Sequence, residues 1–335
     1  PKDISSIEQL YLTGLHLEQY RHATYNPLDY YQEALRREPG DVRCNNAMGL
    51  WLMRKGRFAD AEPYFRTAIA TLTERNPNPY DGEPYYNLGW SCKMQGKNDE
   101  AYEAFFKSAW NAAWQDPAYF SVAQIDTLRG KYTEALDDIE RSLVRNWHNH
   151  KARQLKCSVL RKLGRTEEAV SWADDSLKID RFNMGCRFEK YLLTRDENVL
   201  AEMKSLMRGW SHGYMEYALD FAGAGLYDEA IELLQAYLSG AHDVYPMIYC
   251  ALGYYYSLKG DKENSLKYYK KLEEANPDRC FPNRIEEVNM LQDAINNNPQ
   301  GAKANYYLGN FWYAMRQYDN AIACWEESVK LDDKY

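Results

Sequence analysis

Nowhere in this 335-residue chain do 18 consecutive apolar residues occur, so no segment reads as a membrane-spanning helix. Cysteine is sparse and scattered over Cys44, Cys92, Cys157, Cys186, Cys250, Cys280 and Cys324, with no CxxC pair. That excludes a zinc knuckle or a thioredoxin-type motif. An odd, dispersed set is expected of buried free thiols in a reducing compartment, hence a cytoplasmic protein. No N-x-Ser/Thr sequon occurs, and because the chain opens on Pro1 rather than Met, the lack of a signal segment carries no weight. Basic residues are outnumbered 41 to 49, for a net charge of −8. With no general basic face, neither nucleic acid nor a membrane is expected as a partner. HExxH, GxSxG, P-loop and GxGxxG signatures are all missing. Carboxylates fall mostly at expected helix starts and solvent faces, with nothing to place two of them in one cleft. The chain is therefore expected not to be an enzyme, with no catalytic residue and no cofactor. His148 and His150 lack a third ligand nearby, so no metal is expected either. Aromatics, by contrast, are abundant: 29 Tyr, 9 Trp and 10 Phe within a 45% hydrophobic, 27% charged composition. That is the profile of a folded chain with a large apolar surface to bury.

Self-similarity sets the architecture. The segments Arg57-Phe-Ala-Asp-Ala61, Lys97-Asn-Asp-Glu-Ala101, Lys131-Tyr-Thr-Glu-Ala135, Arg165-Thr-Glu-Glu-Ala169, Leu226-Tyr-Asp-Glu-Ala230 and Gln317-Tyr-Asp-Asn-Ala321 align on their alanines. Four residues after each alanine stands Phe65, Phe105, Ile139, Ala173, Leu234 or Trp325. Twelve before it stands Gly49, Gly89, Ala123, Cys157, Ala218 or Gly309, and Gly253 with Ser265 adds a seventh unit. Ala101, Ala135 and Ala169 follow one another at 34 residues. This period fits two helices of about 13 residues joined by short turns, and the small residues let the pair pack closely. One such unit cannot bury its apolar face alone, whereas a stack can. The fold class is thus all-α, an α-solenoid.

The pattern Asn45…Met48-Gly49…Leu52…Ala61…Phe65…Ala68 resembles the tetratricopeptide repeat (TPR) family, as do Tyr85…Leu88-Gly89…Ala101…Phe105 and Tyr249…Leu252-Gly253…Tyr256…Ser265…Tyr269…Pro277. The resemblance implies TPR-type helix–turn–helix repeats wound into a right-handed superhelix, a non-enzymatic scaffold for protein–protein interaction. Residues from Tyr11 to Pro39 resemble a degenerate first unit, its start signalled by a capping box at Ser5-x-x-Glu8. Insertions break the period at 76–84, at about 182–209 and at about 282–297. The expected divisions are an N-terminal array over 1–181, a divergent helix pair over 182–212, and a C-terminal array over 213–335 with one inserted helix near 282–297. The phrases at 11–20, 76–89, 110–114 and 281–284 are also similar to the C-terminal TPR region of bacterial multidomain proteins with an upstream mutarotase-like β-sandwich. That resemblance implies a second reading, an accessory docking region of a larger carbohydrate-related protein.

In a TPR stack the first helix of each pair lines the concave groove, at about i, i+3 and i+7. Counting from the small residues places Asn46, Tyr86, Trp90, Phe120, Gln124, Lys151, Gln154, Arg161, Tyr254, Tyr306, Asn310 and Tyr313 there, with Leu50 and Met53 beside Asn46. Aromatics interleaved with amides and cations suit a protein or peptide segment as partner. The carboxylate clamp known from this family needs further cations, and Lys151 lacks its partners. Trp110 and Trp114, four apart, are expected to share one helix face and to cap the second helix of their unit.

Overall fold

The computed structural model describes residues 1–20, 24–241 and 243–334, and among them there are helices and no strands. They run as antiparallel pairs. The first two are α1 (Ile7–Gln19) with α2 (Pro27–Arg37) and α3 (Val42–Arg54) with α4 (Phe58–Thr73). Then come α5 (Glu83–Met94) with α6 (Asn98–Ser108) and, after a short 3₁₀ turn, α7 (Gln115–Leu128) with α8 (Tyr132–Arg145). The series continues with α9 (His150–Lys162) and α10 (Thr166–Ile179), and with the short α11 (Met184–Thr194) and α12 (Glu197–Met207). It goes on through α13 (Ser211–Ala222) and α14 (Tyr227–Leu238), then α15 (Pro246–Leu258) and α16 (Lys262–Glu274). A single helix α17 (Glu286–Asn297) precedes the last pair, α18 (Lys303–Ala314) and α19 (Tyr318–Leu331). Two compact units divide the chain, residues 1–121 and 122–335, with the border inside α7. Each is an all-α stack of helix pairs.

Size complementarity closes the pairs. Where the small residue of the first helix is glycine, the residue sixteen later is a large aromatic, as in Gly49/Phe65, Gly89/Phe105, Gly253/Tyr269 and Gly309/Trp325. In each of these a Cβ added at the glycine would come closer than 3.0 Å to the ring. Where it is alanine, the partner is aliphatic, as in Ala123/Ile139 and Ala218/Leu234, and where it is Cys157 the partner is Ala173; all six are fully buried. In the glycine/aromatic and alanine/aliphatic pairs, a larger residue on one helix is thus met by a smaller one on the other, as dense packing requires.

The turn inside six of the pairs is made by a glycine in the left-handed region, from φ 71° at Gly56 to φ 78° at Gly260, with Gly96, Gly130, Gly164 and Gly225 between. Gly56 N–H and Arg57 N–H then donate to Met53 and Leu52 carbonyls at 3.0 Å, closing the first helix with its orphan carbonyls satisfied. The last pair uses Arg316 there instead (φ 58°). The second helices following these turns have no side-chain N-cap in α4, α6, α8, α10, α14 or α19. The expected capping box at Ser5 is not formed; the N-cap is Ser6, whose hydroxyl accepts from Gln9 N–H at 3.2 Å.

Candidate functional site

In the first unit, the inner faces of α1 and α3 border a cavity of about 310 Å³. One side is lined by Tyr11, Leu15 and Glu18 of α1, spaced four and three apart so that they share a face. The other is lined by Arg43, Asn46, Leu50 and Arg54 of α3, spaced the same way, and Glu83 at the start of α5 closes the end. Its polar groups are tied down. Asn46 donates to Glu83 Oε1 at 2.9 Å and accepts from Asn87 Nδ2 at 2.8 Å. The Arg43 guanidinium lies 4.8 Å from the Tyr11 ring centre and pairs with Glu8 at 2.5 Å, and Arg54 pairs with Glu18. Burial, and then the Glu83 carboxylate, push the Tyr11 phenol up from its ordinary value. The result is a preformed hollow with apolar walls and fixed polar groups of both signs.

Tyr86, Trp90 and Phe120 lie further along the same unit, all half-buried. Tyr86 and Trp90 are braced against the buried Phe105 ring at 5.5 and 5.9 Å, and Tyr86 also meets Trp114 at 4.9 Å. Lys93 stands over Trp90 at 5.1 Å. The two tryptophans expected on one face part company because α6 ends at Ser108. Trp114 packs inward from the 3₁₀ turn, while Trp110 stays exposed beneath Lys107 at 3.8 Å. The inserted loop of residues 76–84 docks here, with Ser108 Oγ donating to Gly82 O at 2.9 Å and Asn111 Nδ2 donating to Tyr80 O.

In the second unit the expected inner-face cations are likewise paired within the chain. Lys151 pairs with Asp220 at 2.5 Å. Burial pushes the Asp220 carboxyl up against the pull of that ammonium. Arg161 donates to Glu189 at 2.7 and 3.0 Å and to Glu229 at 2.8 Å. Burial works to lower its pKa, and the two carboxylates override this and raise it. Gln124 and Gln154 are buried, Gln154 against Gly185, and Met53 of the first unit is buried as well; these three side chains sit in packed interior rather than on an open groove wall. Tyr254, Tyr306 and Asn310 are half-buried, the last accepting from Trp325 Nε1 at 3.2 Å, and Tyr313 is exposed between Tyr318 and Trp325.

Donor atoms of Glu62, Cys92 and Glu100 lie within 4.8 Å of one another. Arg66 and Lys97, each 2.7 Å away, already neutralise Glu62, and burial followed by the Glu62 charge pushes the Cys92 thiol up to about 11. A protonated thiol beside occupied carboxylates is a poor ligand set. Sequence reasoning passed over Tyr11, Glu18, Arg43 and Arg54. The 3–4 spacing of Tyr11, Leu15 and Glu18 was the available signal, hidden by the degenerate first unit.

Tetratricopeptide repeat models match residues 28–79 and 46–117, 248–279, and 302–335. Those segments of the chain thus match tetratricopeptide repeats. Similar solved structures include a tetratricopeptide repeat protein from Parabacteroides merdae, at 17% identity and TM-score 0.46, covering 76% of this chain and 98% of that one. MamA aligns at 20% identity and TM-score 0.45, over 51% and 91%. YrrB, described as a TPR protein with an unusual peptide-binding site, aligns at 19% and 0.33, over 64% and 93%. TPR repeats generally mediate protein–protein interaction and are typically non-enzymatic. No helix among the described residues is long and apolar enough to cross a membrane.

Proposed function

We propose that the chain is a non-enzymatic scaffold that holds an extended segment of a partner protein along the inner face of its first unit. The hollow between α1 and α3 carries this reading: it is open, about 310 Å³, and ready without rearrangement. Leu15 and Leu50 offer apolar wall, while Asn46, Arg43 and Glu83 fix the register of a backbone or polar side chain. Tyr86, Trp90 and Phe120 extend the surface with rigid aromatic anchors of the kind that dominate binding energy. The seven free cysteines suit a reducing compartment, and we place the protein in the cytoplasm.

The test is capture of partners from the source cell on the immobilised chain, with a synthetic peptide of the captured segment titrated against the native chain and Leu50→Arg. The proposal expects at least about a tenfold loss of affinity, about 1.4 kcal/mol, with helicity unchanged. A captured segment that binds Leu50→Arg and Tyr86→Ala/Trp90→Ala as well as the native chain refutes it.

A further inference from the structure

Beyond the groove, a different feature repeats along the second unit. The loops joining one helix pair to the next carry an exposed arginine beside an exposed aromatic four times: Arg145 and Trp147, Arg181 and Phe182, Arg208 and Trp210, Arg279 and Phe281. The four rings are 51, 55, 63 and 67% exposed. Among the described residues none of the four arginines has a carboxylate partner; Arg181 lies over the Phe182 ring at 5.3 Å. Two of them, Arg208 (φ 53°) and Arg279 (φ 60°), occupy the left-handed backbone region that favours glycine. Arginine there strains the backbone and makes no ion pair among the described residues in return.

Hydrogen bonds and ring contacts tie these loops to the helices and loops beside them. Asn183 Nδ2 donates to His150 O at 3.3 Å, and the Tyr217 hydroxyl donates to Phe182 O at 3.0 Å. Trp210 meets the His212 ring at 5.8 Å, which lies tilted against Tyr245 at 4.7 Å, and the Tyr245 hydroxyl donates to Phe281 O at 3.4 Å. The one carboxylate in the 180–183 loop, Asp180, accepts from Phe182 N–H at 2.8 Å and faces His150 at 3.8 Å.

We infer that this edge of the second unit binds single-stranded nucleic acid, the arginines meeting phosphates and the exposed rings stacking on bases. A repeated pairing of cation and ring matches a polymer whose repeat alternates an anion and a flat π-face. The net charge of −8 is no obstacle, because the contacts are local and these loops hold cations without a carboxylate partner among the described residues. A flat anionic bilayer fits less well: exposed Asp278 stands beside Arg279, and exposed Asp243 stands in the loop between α14 and α15, and both would meet it, whereas a single strand contacts the arginines and rings one by one.

The experiment is fluorescence anisotropy of a labelled oligo-dT or oligo-U of about 16 nucleotides against the full chain, over a salt series. Four phosphate contacts give a log–log slope of about −2.8, that is, about 50-fold weaker binding between about 50 and 200 mM salt. Arg145→Ala/Arg181→Ala/Arg208→Ala/Arg279→Ala should flatten that slope to near zero. Trp147→Ala and Trp210→Ala should each weaken binding about fivefold or more while leaving the slope in place. All six positions are surface sites, and circular dichroism confirms that the variants fold. Absence of oligonucleotide binding at low salt, a slope unchanged in the arginine variant, or flotation with phosphatidylserine vesicles without oligonucleotide binding overturns the inference. The groove reading is untouched by any of these results, since none of the six residues lies in the first unit.

Discussion

Replacing Gly89 by Ala adds one methyl group where there is no room for it. The new Cβ would stand 2.6 Å from Cδ1 and Cε1 of Phe105 and 2.9 Å from its Cγ. The ring cannot simply retreat: Phe105 is fully buried, with Tyr86 and Trp90 rings against it at 5.5 and 5.9 Å. Overpacking of this kind costs about 2–3 kcal/mol at a locked site, and the better helix propensity of alanine returns about 1. The expected net loss is about 1–2 kcal/mol. The chain itself supplies the rescue, because the neighbouring pair Ala123/Ile139 solves the same packing problem with alanine and isoleucine. Phe105→Ile alone opens a void and costs about 1–2 kcal/mol. In Gly89→Ala/Phe105→Ile the two defects should cancel, giving a favourable coupling of about 1 kcal/mol or more. Urea unfolding of the wild type, both single variants and the double variant, followed by helical circular dichroism, measures the cycle. Additive losses, or a Gly89→Ala chain as stable as the wild type, would refute the size-complementarity argument.

Three further outcomes follow from the same packing and charges. Arg161→Ala strands Glu189, which is fully buried, and should destabilise the second unit by about 3 kcal/mol or more in denaturant titration, with Arg161→Lys losing less. Asp138 is pushed up to about 6, chiefly by burial and then by Asp126 and Asp137 against the pull of Arg141. Its folded form therefore holds a proton that the unfolded chain has released, so stability falls as pH rises from about 4 through 6. Asp138→Asn should then stabilise the chain at neutral pH by up to about 3 kcal/mol and flatten that part of the pH profile. Gly96, by contrast, has open space around its missing side chain but sits at φ 75°, so Gly96→Ala should lose about 1 kcal/mol from backbone strain alone, with no rescue by a neighbouring residue.

The repeat architecture was readable because each unit restates it. Gly89 and Phe105, or Gly253 and Tyr269, are sixteen apart for a reason that survives in the linear sequence: one helix turn must meet another across a fixed gap. The left-handed glycines at 56, 96, 130, 164, 225 and 260 punctuate the same period. What the linear pattern did not carry was pairing across distant units. Arg161 looks like a groove cation when counted along α9, and only the fold brings Glu189 and Glu229, 28 and 68 residues away, onto its guanidinium. Gln154 likewise reads as inner-face, yet the glycine at 185 lets a neighbouring helix close over it. Trp114 was misplaced because α6 stops at Ser108 and a 3₁₀ turn reorients the chain, a change that an i, i+4 count cannot register. The cavity by Tyr11 was hidden because the unit that builds half of it departs most from the repeat pattern.

Site-specific photocrosslinking tests the central claim most directly. A photoreactive residue is placed at Leu50 in the first unit and, in a separate chain, at Tyr254 in the second; each is irradiated with the captured partner, and the joined peptides are sequenced. The account predicts one defined partner segment joined at Leu50 and competed away by the matching synthetic peptide, with far less at Tyr254. Crosslinks concentrated at Tyr254, or scattered over many unrelated segments at Leu50, would contradict it.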